Sequence, residues 1–193
     1  MPEPSTKELL LFKGAEIMHS KGFQNTGILE VLEAAGVPKG SFYYYFKNKE
    51  DFGLQVIDIY AGVMFKTLQE SMALTDLSLV ERLRAFFRSM TDRAMDGFSG
   101  CPIGNLSQEM GEISESFRNK LDGIFRKLEQ DIAGLIKEAQ TAGEIKTGEN
   151  PERLAVFLVS SWEGALLRMK LTRTTEPYEI FEQNAFNEIL IRK

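Results

Sequence analysis

The chain has 193 residues, 43% of them hydrophobic and 26% charged, which is typical of a globular protein and long enough for one sizeable core. It lacks an apolar run near the roughly 20 residues of a membrane span, and its start lacks a signal-peptide pattern, so we expect a cytoplasmic protein. The net charge of −5 does not exclude a nucleic-acid partner, because the first 50 residues carry six lysines and six glutamates and are neutral.

The N-terminal segment predicts two helices before residue 37. Ser5 or Thr6 caps the first helix, and Gly22 stops it. Thr26 is expected to cap a short second helix that ends at Gly36. The apolar stripe of this second helix consists of Ile28, Val31, Leu32 and Ala35.

The stretch GVPKGSFYYYFKNKE, from Gly36 to Glu50, predicts a third helix of about two turns that begins near Pro38. Phe42, Tyr45 and Phe46 share a face by helical spacing and are expected to enter the core. The remaining side chains point to solvent, namely Lys39, Ser41, Tyr43 and Tyr44. Lysines beside exposed phenols suit nucleic acid, because a phenol can rest on a sugar and donate its O–H to a phosphate. A longer helix followed by two short helices and a tight turn is the layout of a helix-turn-helix module.

The rest of the chain also has helical periodicity. We expect a fourth helix from Lys49 to Met72, capped by Asn48, and further amphipathic helices up to the C-terminus. Gly143 stops one of these helices, and Asn150 with Pro151 starts the next. The last helix follows Pro177, with Phe181, Ala185 and Ile189 on one face and Phe186 and Leu190 on a neighbouring one. The fold class is therefore all-α with about nine helices.

The segment GFQNTGILEVLEAAGVPKGSFYYYFKNKEDF, Gly22 to Phe52, resembles the DNA-binding domain of the tetracycline-repressor (TetR) family, without a gap. The resemblance implies a helix-turn-helix domain over residues 1–48 and a helical effector-binding and dimerisation domain over residues 49–193. It also implies a homodimer, formed through the two C-terminal helices, that releases a roughly palindromic operator when a small molecule binds.

Residue by residue, the resemblance implies that Thr26 and Tyr43 contact phosphates and that Lys49 meets a phosphate at the start of the fourth helix. The residues implied for the major groove are Lys39, Gly40, Ser41 and Tyr44. The first 50 residues contain no arginine, so base recognition would depend on Lys39, Ser41 and Tyr44 or on DNA shape.

The segment GFSGCPIGN, Gly97 to Asn105, breaks the chain between two helices. Cys101 has two interpretations: a small buried core residue, which we favour, or a sensor thiol. The second interpretation comes from the G-C-x-x-G-N pattern, which resembles a subgroup of TetR regulators, some of which respond to electrophiles, oxidants or small unsaturated acids.

Ligand-binding residues can be predicted only as a set, each of which has a plain core role as its alternative. The candidates are Phe65, Phe86, Met90, Cys101, Asn105, Phe125 and Trp162. Their apolar character favours a small apolar effector, and the resemblance of the G-C-x-x-G-N segment implies an electrophilic effector as the other choice. Glu163, inside an apolar helix, is either paired or exposed, or contacts a ligand or an interface. We expect no cofactor, and one histidine with one cysteine excludes a tetrahedral zinc site of nitrogen and sulfur ligands.

Two other classes of protein compete with a repressor that binds DNA. An enzyme is disfavoured because the chain lacks a Ser-His-Asp order, a glycine-rich phosphate loop and an H-E-x-x-H spacing. A helical module that binds another protein remains the alternative, but it leaves the lysines and tyrosines of residues 39–49 unexplained. An activator also remains open.

Overall fold

The computed structural model describes residues 4–145 and 148–190, which are helical and contain no strand. Within these residues, none of the helices is long and apolar enough to cross a membrane. Nine α-helices follow one another in this described part of the chain, which confirms the predicted fold class: α1 (Thr6–Lys21), α2 (Ile28–Ala35), α3 (Phe42–Tyr45), α4 (Lys49–Met72), α5 (Leu79–Met95), α6 (Pro102–Met110), α7 (Glu115–Thr141), α8 (Pro151–Thr172) and α9 (Glu176–Gln183).

Several helix ends lie where side-chain and backbone chemistry predicts them. Ser5 caps α1 and forms a reciprocal capping box with Glu8. Gly22 and Gly36 adopt positive φ angles of 84° and 65° at the ends of α1 and α2. Asn150 accepts a hydrogen bond from the Arg153 N–H (2.8 Å) at the start of α8.

The prediction that Thr26 caps α2 is wrong. Gly27 occupies the N-cap position, with no side-chain cap, and Thr26 is buried. The Thr26 hydroxyl instead donates to the Gly22 carbonyl at 2.7 Å, which closes the turn between α1 and α2. A hydroxyl that can bond locally in two directions is a poor guide to the exact first residue of a helix.

The chain divides into two compact units. Unit 1 runs to Val63 and includes Pro102–Leu121, so it contains α1 to α3, most of α4, all of α6 and the start of α7. Unit 2 contains Met64–Cys101 and the chain from Asp122 onward.

The core of unit 1 is built around the aromatic residues of the opening stretch. Phe42 and Phe46 are fully buried, and their ring centroids lie 5.3 Å and 5.0 Å from that of Phe52 on α4. Such edge-to-face pairs add to the free energy of burial. They hold α3, which is only four residues long and is preceded by a 3-10 turn at Lys39–Ser41.

In unit 2, the fully buried Trp162 of α8 donates its indole N–H to the hydroxyl of Thr91 on α5 at 2.9 Å. Its ring lies 5.6 Å from that of Phe87. At the other end of α5, the Glu144 carboxylate accepts hydrogen bonds from the first two N–H groups, those of Leu79 and Val80.

The last helix departs from regular α-helical geometry after Gln183. After α9 the chain forms a π-helical turn at Asn184–Ile189, in which the Leu190 N–H donates to the Ala185 carbonyl. The wider turn brings both predicted faces inward, so Phe181, Ala185, Phe186 and Leu190 are all buried. The large apolar side chain that α9 exposes is Ile180, at 54%.

Candidate nucleic-acid interface and effector residues

The solvent-facing side chains of α3 and of the turn before it form the candidate nucleic-acid interface. Tyr43 and Tyr44 are 68% and 82% exposed, although both are large aromatic residues. Lys39 is also exposed, and Ser41 is half-buried. Phe42 and Phe46 pack into the core, Tyr43 and Tyr44 point outward, and Tyr45, which was predicted to enter the core, is half-buried, because successive residues face different directions around a helical turn.

Gly40 lies in the 3-10 turn of this surface, and neither packing nor backbone conformation requires a glycine there. A Cβ at this position would meet no atom within 4 Å, and the φ angle is not positive. The missing side chain therefore leaves space only on the outside of the protein. This is the geometry expected where a flat partner approaches the backbone closely.

Thr26 and Lys49, the other two residues implied to contact phosphates, form hydrogen bonds within unit 1. Thr26 is buried and bonded to Gly22, as described above. The Lys49 ammonium donates to the Gln24 carbonyl at 2.9 Å and lies 4.7 Å from the centroid of the Phe23 ring. Burial lowers the pKa of Lys49, and the nearby Glu109 carboxylate opposes that shift.

Glu109 is a residue that sequence reasoning missed. Its carboxylate accepts hydrogen bonds from two successive backbone N–H groups, those of Phe23 (2.8 Å) and Gln24 (2.7 Å), in the turn before α2. A Cβ on Gly22 would lie 2.7 Å from Glu109 Oε2, so the carboxylate occupies the space that this glycine leaves. Because 85 residues separate Glu109 from Gln24, no local pattern signals this contact.

The predicted effector residues are divided between the two units. Asn105 lies on α6 in unit 1, and the other six lie in unit 2. Phe86 and Trp162 are fully buried, with ring centroids 6.5 Å apart. Phe65, Met90 and Phe125 are half-buried. The structure therefore brings Phe86 and Trp162 together as core neighbours.

Cys101 and Glu163 form a polar pair in unit 2, in which Cys101 is buried and Glu163 is half-buried. The thiol is 6% exposed and makes a side-chain hydrogen bond to the Glu163 carboxyl group. Glu163 Oε1 is inaccessible to solvent and has no hydrogen-bond partner among the described residues. Burial raises the pKa of Glu163 to about 7, which the Cys101 hydrogen bond partly opposes.

An open groove of about 530 Å³ lies on the surface of α8 and α9. Its walls include the apolar side chains of Phe157 and Ile180, which are 46% and 54% exposed. Ser161, Gly164 and Ala165 line it with small residues. None of the predicted effector residues lines this groove.

Comparison with known proteins gives consistent matches over both parts of the chain. Residues 10–56 match the family described as "Bacterial regulatory proteins, tetR family", and residues 80–185 match "Tetracyclin repressor-like, C-terminal domain". The chain is 40% identical over 174 residues to the transcriptional regulator AcuR of Cereibacter sphaeroides, covering 89% of this chain and 80% of AcuR. It is 34% identical over 190 residues to the transcriptional repressor DhaR of a Mycobacterium species, covering 98% and 95% of the two chains.

Solved structures agree with this result. A regulatory protein TetR from Rhodobacter sphaeroides is 37% identical with a TM-score of 0.88, covering 96% of this chain and 99% of the other. The reduced form of NemR from Escherichia coli is 29% identical with a TM-score of 0.87, covering 97% and 98%.

The buried carboxyl of Glu163 predicts a specific pH dependence of stability. Its pKa is raised from 4.5 to about 7 in the folded state, so the folded chain holds a proton that the unfolded chain releases between these values. Stability from this group is complete below about pH 4.5 and is lost as the pH rises through about 7. We expect Glu163→Gln to remove this loss. The unfolding free energy of the variant, relative to that of the wild type, should then be higher at about pH 8 than at about pH 4.5 by an amount on the order of 2 kcal/mol.

Urea denaturation at several pH values measures this effect. Glu152→Gln, at an exposed position on the same helix, is the matched control and should keep the wild-type pH profile. If Glu163→Gln shows the same pH dependence as the wild type, Glu163 does not titrate as described.

Proposed function

Because the chain belongs to the TetR family of transcriptional regulators, which bind DNA and respond to ligands, we propose that it is a homodimeric repressor that leaves its operator when a small molecule binds its C-terminal domain. Such a protein acts on the chromosome, so we place it in the cytoplasm. The family resemblance covers both the DNA-binding and the C-terminal parts of the chain.

The observation that supports DNA binding most strongly is the exposed surface of Lys39, Tyr43 and Tyr44 beside Gly40. Tyr43 and Tyr44 are each more than two-thirds exposed, so their rings gain little free energy from burial unless a partner covers them. We assign Tyr43 to a phosphate and Lys39, Gly40, Ser41 and Tyr44 to the major groove.

For Thr26 and Lys49 the supporting geometry is different. Both side chains bond to backbone carbonyls of the turn before α2, so we propose that they act on phosphates mainly by holding that turn in position. Its exposed backbone and the start of α2 then approach the DNA.

The effector is proposed to be small and either apolar or electrophilic. The half-buried Phe65, Met90 and Phe125 and the buried pair of Phe86 and Trp162 support an apolar ligand in unit 2. Cys101, in the G-C-x-x-G-N segment, is the buried thiol that an electrophilic effector would modify, and Asn105, on α6 in unit 1, is a separate candidate contact.

Dimerisation is proposed to occur through α8 and α9. A second copy is the occupant that fits the groove, because small residues at Ser161, Gly164 and Ala165 let two helices approach closely while Phe157 and Ile180 supply apolar contact. Pairing of α8 and α9 with their copies would form a four-helix bundle. It would also present two copies of α3 to the two halves of a palindromic operator.

Footprinting on the promoter region next to the protein's own gene tests DNA binding directly. We expect a protected, roughly palindromic site with half-sites about 34 Å or a multiple apart. An absence of protection on that region and on a random duplex pool, at low salt, would favour the alternative of a module that binds another protein.

A substitution at Gly40 separates DNA contact from folding. Gly40→Ala adds a methyl group that meets no protein atom, so we expect an unfolding free energy equal to or about 0.4–1 kcal/mol above that of the wild type. Affinity for the operator should nevertheless fall by about tenfold, because the methyl group blocks close approach of the DNA.

Gly62→Ala is the matched control. Gly62 is also exposed, helical and free of neighbours within 4 Å, but it lies on α4 away from the candidate interface. This variant should gain similar stability and keep wild-type DNA affinity. Equal affinity in Gly40→Ala and Gly62→Ala would contradict the placement of Gly40 against DNA.

A charge in the α8–α9 groove should dissociate the dimer. Ile180→Asp and Phe157→Asp each place a carboxylate where the partner's apolar side chains would lie, and we expect monomers at micromolar concentration in sedimentation equilibrium. Leu74→Asp is the control, since Leu74 is 46% exposed, as Phe157 is, but does not line the groove. A monomeric wild type, or dimeric groove variants, would exclude this interface.

A further inference from the structure

The turn between α1 and α2 is held by two charged residues from distant parts of the chain. The Glu109 carboxylate accepts hydrogen bonds from the N–H groups of Phe23 and Gln24, and the Lys49 ammonium donates to the Gln24 carbonyl. Three backbone groups of two adjacent residues are thus bonded to ionised side chains. Hydrogen bonds of this kind are stronger than those between neutral groups.

The same turn controls where α2 begins. Gly22 ends α1 with a positive φ, Thr26 donates back to the Gly22 carbonyl, and Gly27 is the N-cap of α2. A shift of the Phe23–Gln24 peptide would therefore change how α2, and α3 after it, are presented. Within the residues described, α1 and α2 are also joined by an ion pair between Lys21 and Glu30.

Further contacts anchor the segment that carries Glu109. The Phe117 ring lies 4.8 Å from the Phe23 ring, and Ser114 donates to Glu50 at 2.5 Å. Lys120 pairs with Asp58 on α4 at 2.7 Å. The whole segment Pro102–Leu121 belongs to unit 1, although the helix-turn-helix lies more than 50 residues before it in the sequence.

We propose that Glu109 is a positioning residue for DNA binding: its carboxylate holds the α1–α2 turn in the geometry in which α2 and α3 meet DNA. Glu109 contacts no DNA itself in this proposal. The inference rests on the proposed DNA-binding function and adds a residue from α6 to it. The chain passes from unit 2 into unit 1 between Cys101 and Pro102, where α6 begins. The helix that carries Glu109 is therefore the first element of unit 1 after this crossing.

The sign of the expected effect makes the proposal testable. Removal of an acidic side chain near a DNA-binding surface should strengthen binding on electrostatic grounds alone, since DNA is a polyanion. If Glu109 positions the turn, its removal should weaken binding instead. The two explanations therefore predict opposite changes in affinity.

Fluorescence anisotropy with the duplex identified by footprinting measures the effect in the full-length protein. We expect Glu109→Ala to weaken binding by about tenfold or more, because two backbone N–H groups lose their acceptor. Glu109→Gln keeps one acceptor oxygen and should lie between Glu109→Ala and the wild type. Glu112→Ala removes the same charge from an exposed neighbouring position and should bind as tightly as the wild type or more tightly.

The choice of temperature distinguishes a loss of DNA affinity from a loss of stability. The titrations are made far below the melting temperature of every variant, where the folded fraction is close to one, so a loss of stability alone leaves affinity unchanged. If circular dichroism shows that Glu109→Ala is unfolded, Glu109→Gln is compared with the wild type instead. Weaker binding by Glu109→Gln supports the proposal, and equal or tighter binding overturns it.

Two further results would overturn the inference. One is wild-type or tighter DNA affinity in Glu109→Ala, as expected for Glu112→Ala. The other is rapid hydrogen exchange of the Phe23 and Gln24 amides in the wild type, because amides bonded to a carboxylate should be protected relative to Glu109→Ala. A wild-type protein that binds no duplex at all would instead reject the proposed function itself.

Discussion

The candidate DNA-binding surface depends on the burial of Phe42 and Phe46. A helix of four residues is not stable alone, because the first turn fixes several backbone angles for a single hydrogen bond. Contact of both rings with Phe52 on α4 supplies the missing free energy. The same contacts set the rotation of α3 about its axis, and this rotation directs Tyr43 and Tyr44 to solvent. The hydrophobic core and the candidate DNA-binding surface are therefore two sides of one packing arrangement.

The turn before α2 is the second point on which this surface depends. It contains a glycine with positive φ, a buried threonine bonded to the backbone, and a peptide bonded by an acid from α6 and a base from α4. Their common effect is to fix the start of α2, which links the position of α6 to the presentation of α3. A helix that lies late in the sequence thus becomes part of the DNA-binding unit.

Unit 2 contains polar groups that are costly to bury. Trp162 and Thr91 satisfy each other, so their burial costs little. Glu163 is different, because one of its oxygens is buried without a partner among the described residues and its pKa is raised to about 7. A carboxyl group that reduces stability is commonly kept for function. Its neighbour Cys101 is the last residue of unit 2 before the chain enters unit 1 at Pro102.

The sequence alone determined the helical fold, most helix ends and the division of the third helix into buried and exposed faces. These features depend on periodicity, caps and glycine stops, which are local properties of the chain, and the exposed Tyr43 and Tyr44 follow from them. Only the tertiary structure decided the contacts of Thr26, Lys49, Glu109 and Glu163, together with the burial of both predicted faces of the last helix. Each of these depends on a partner that the local pattern leaves open: Glu109 meets a turn 85 residues away, and a hydroxyl or ammonium group bonds to whichever carbonyl the packed fold brings near it.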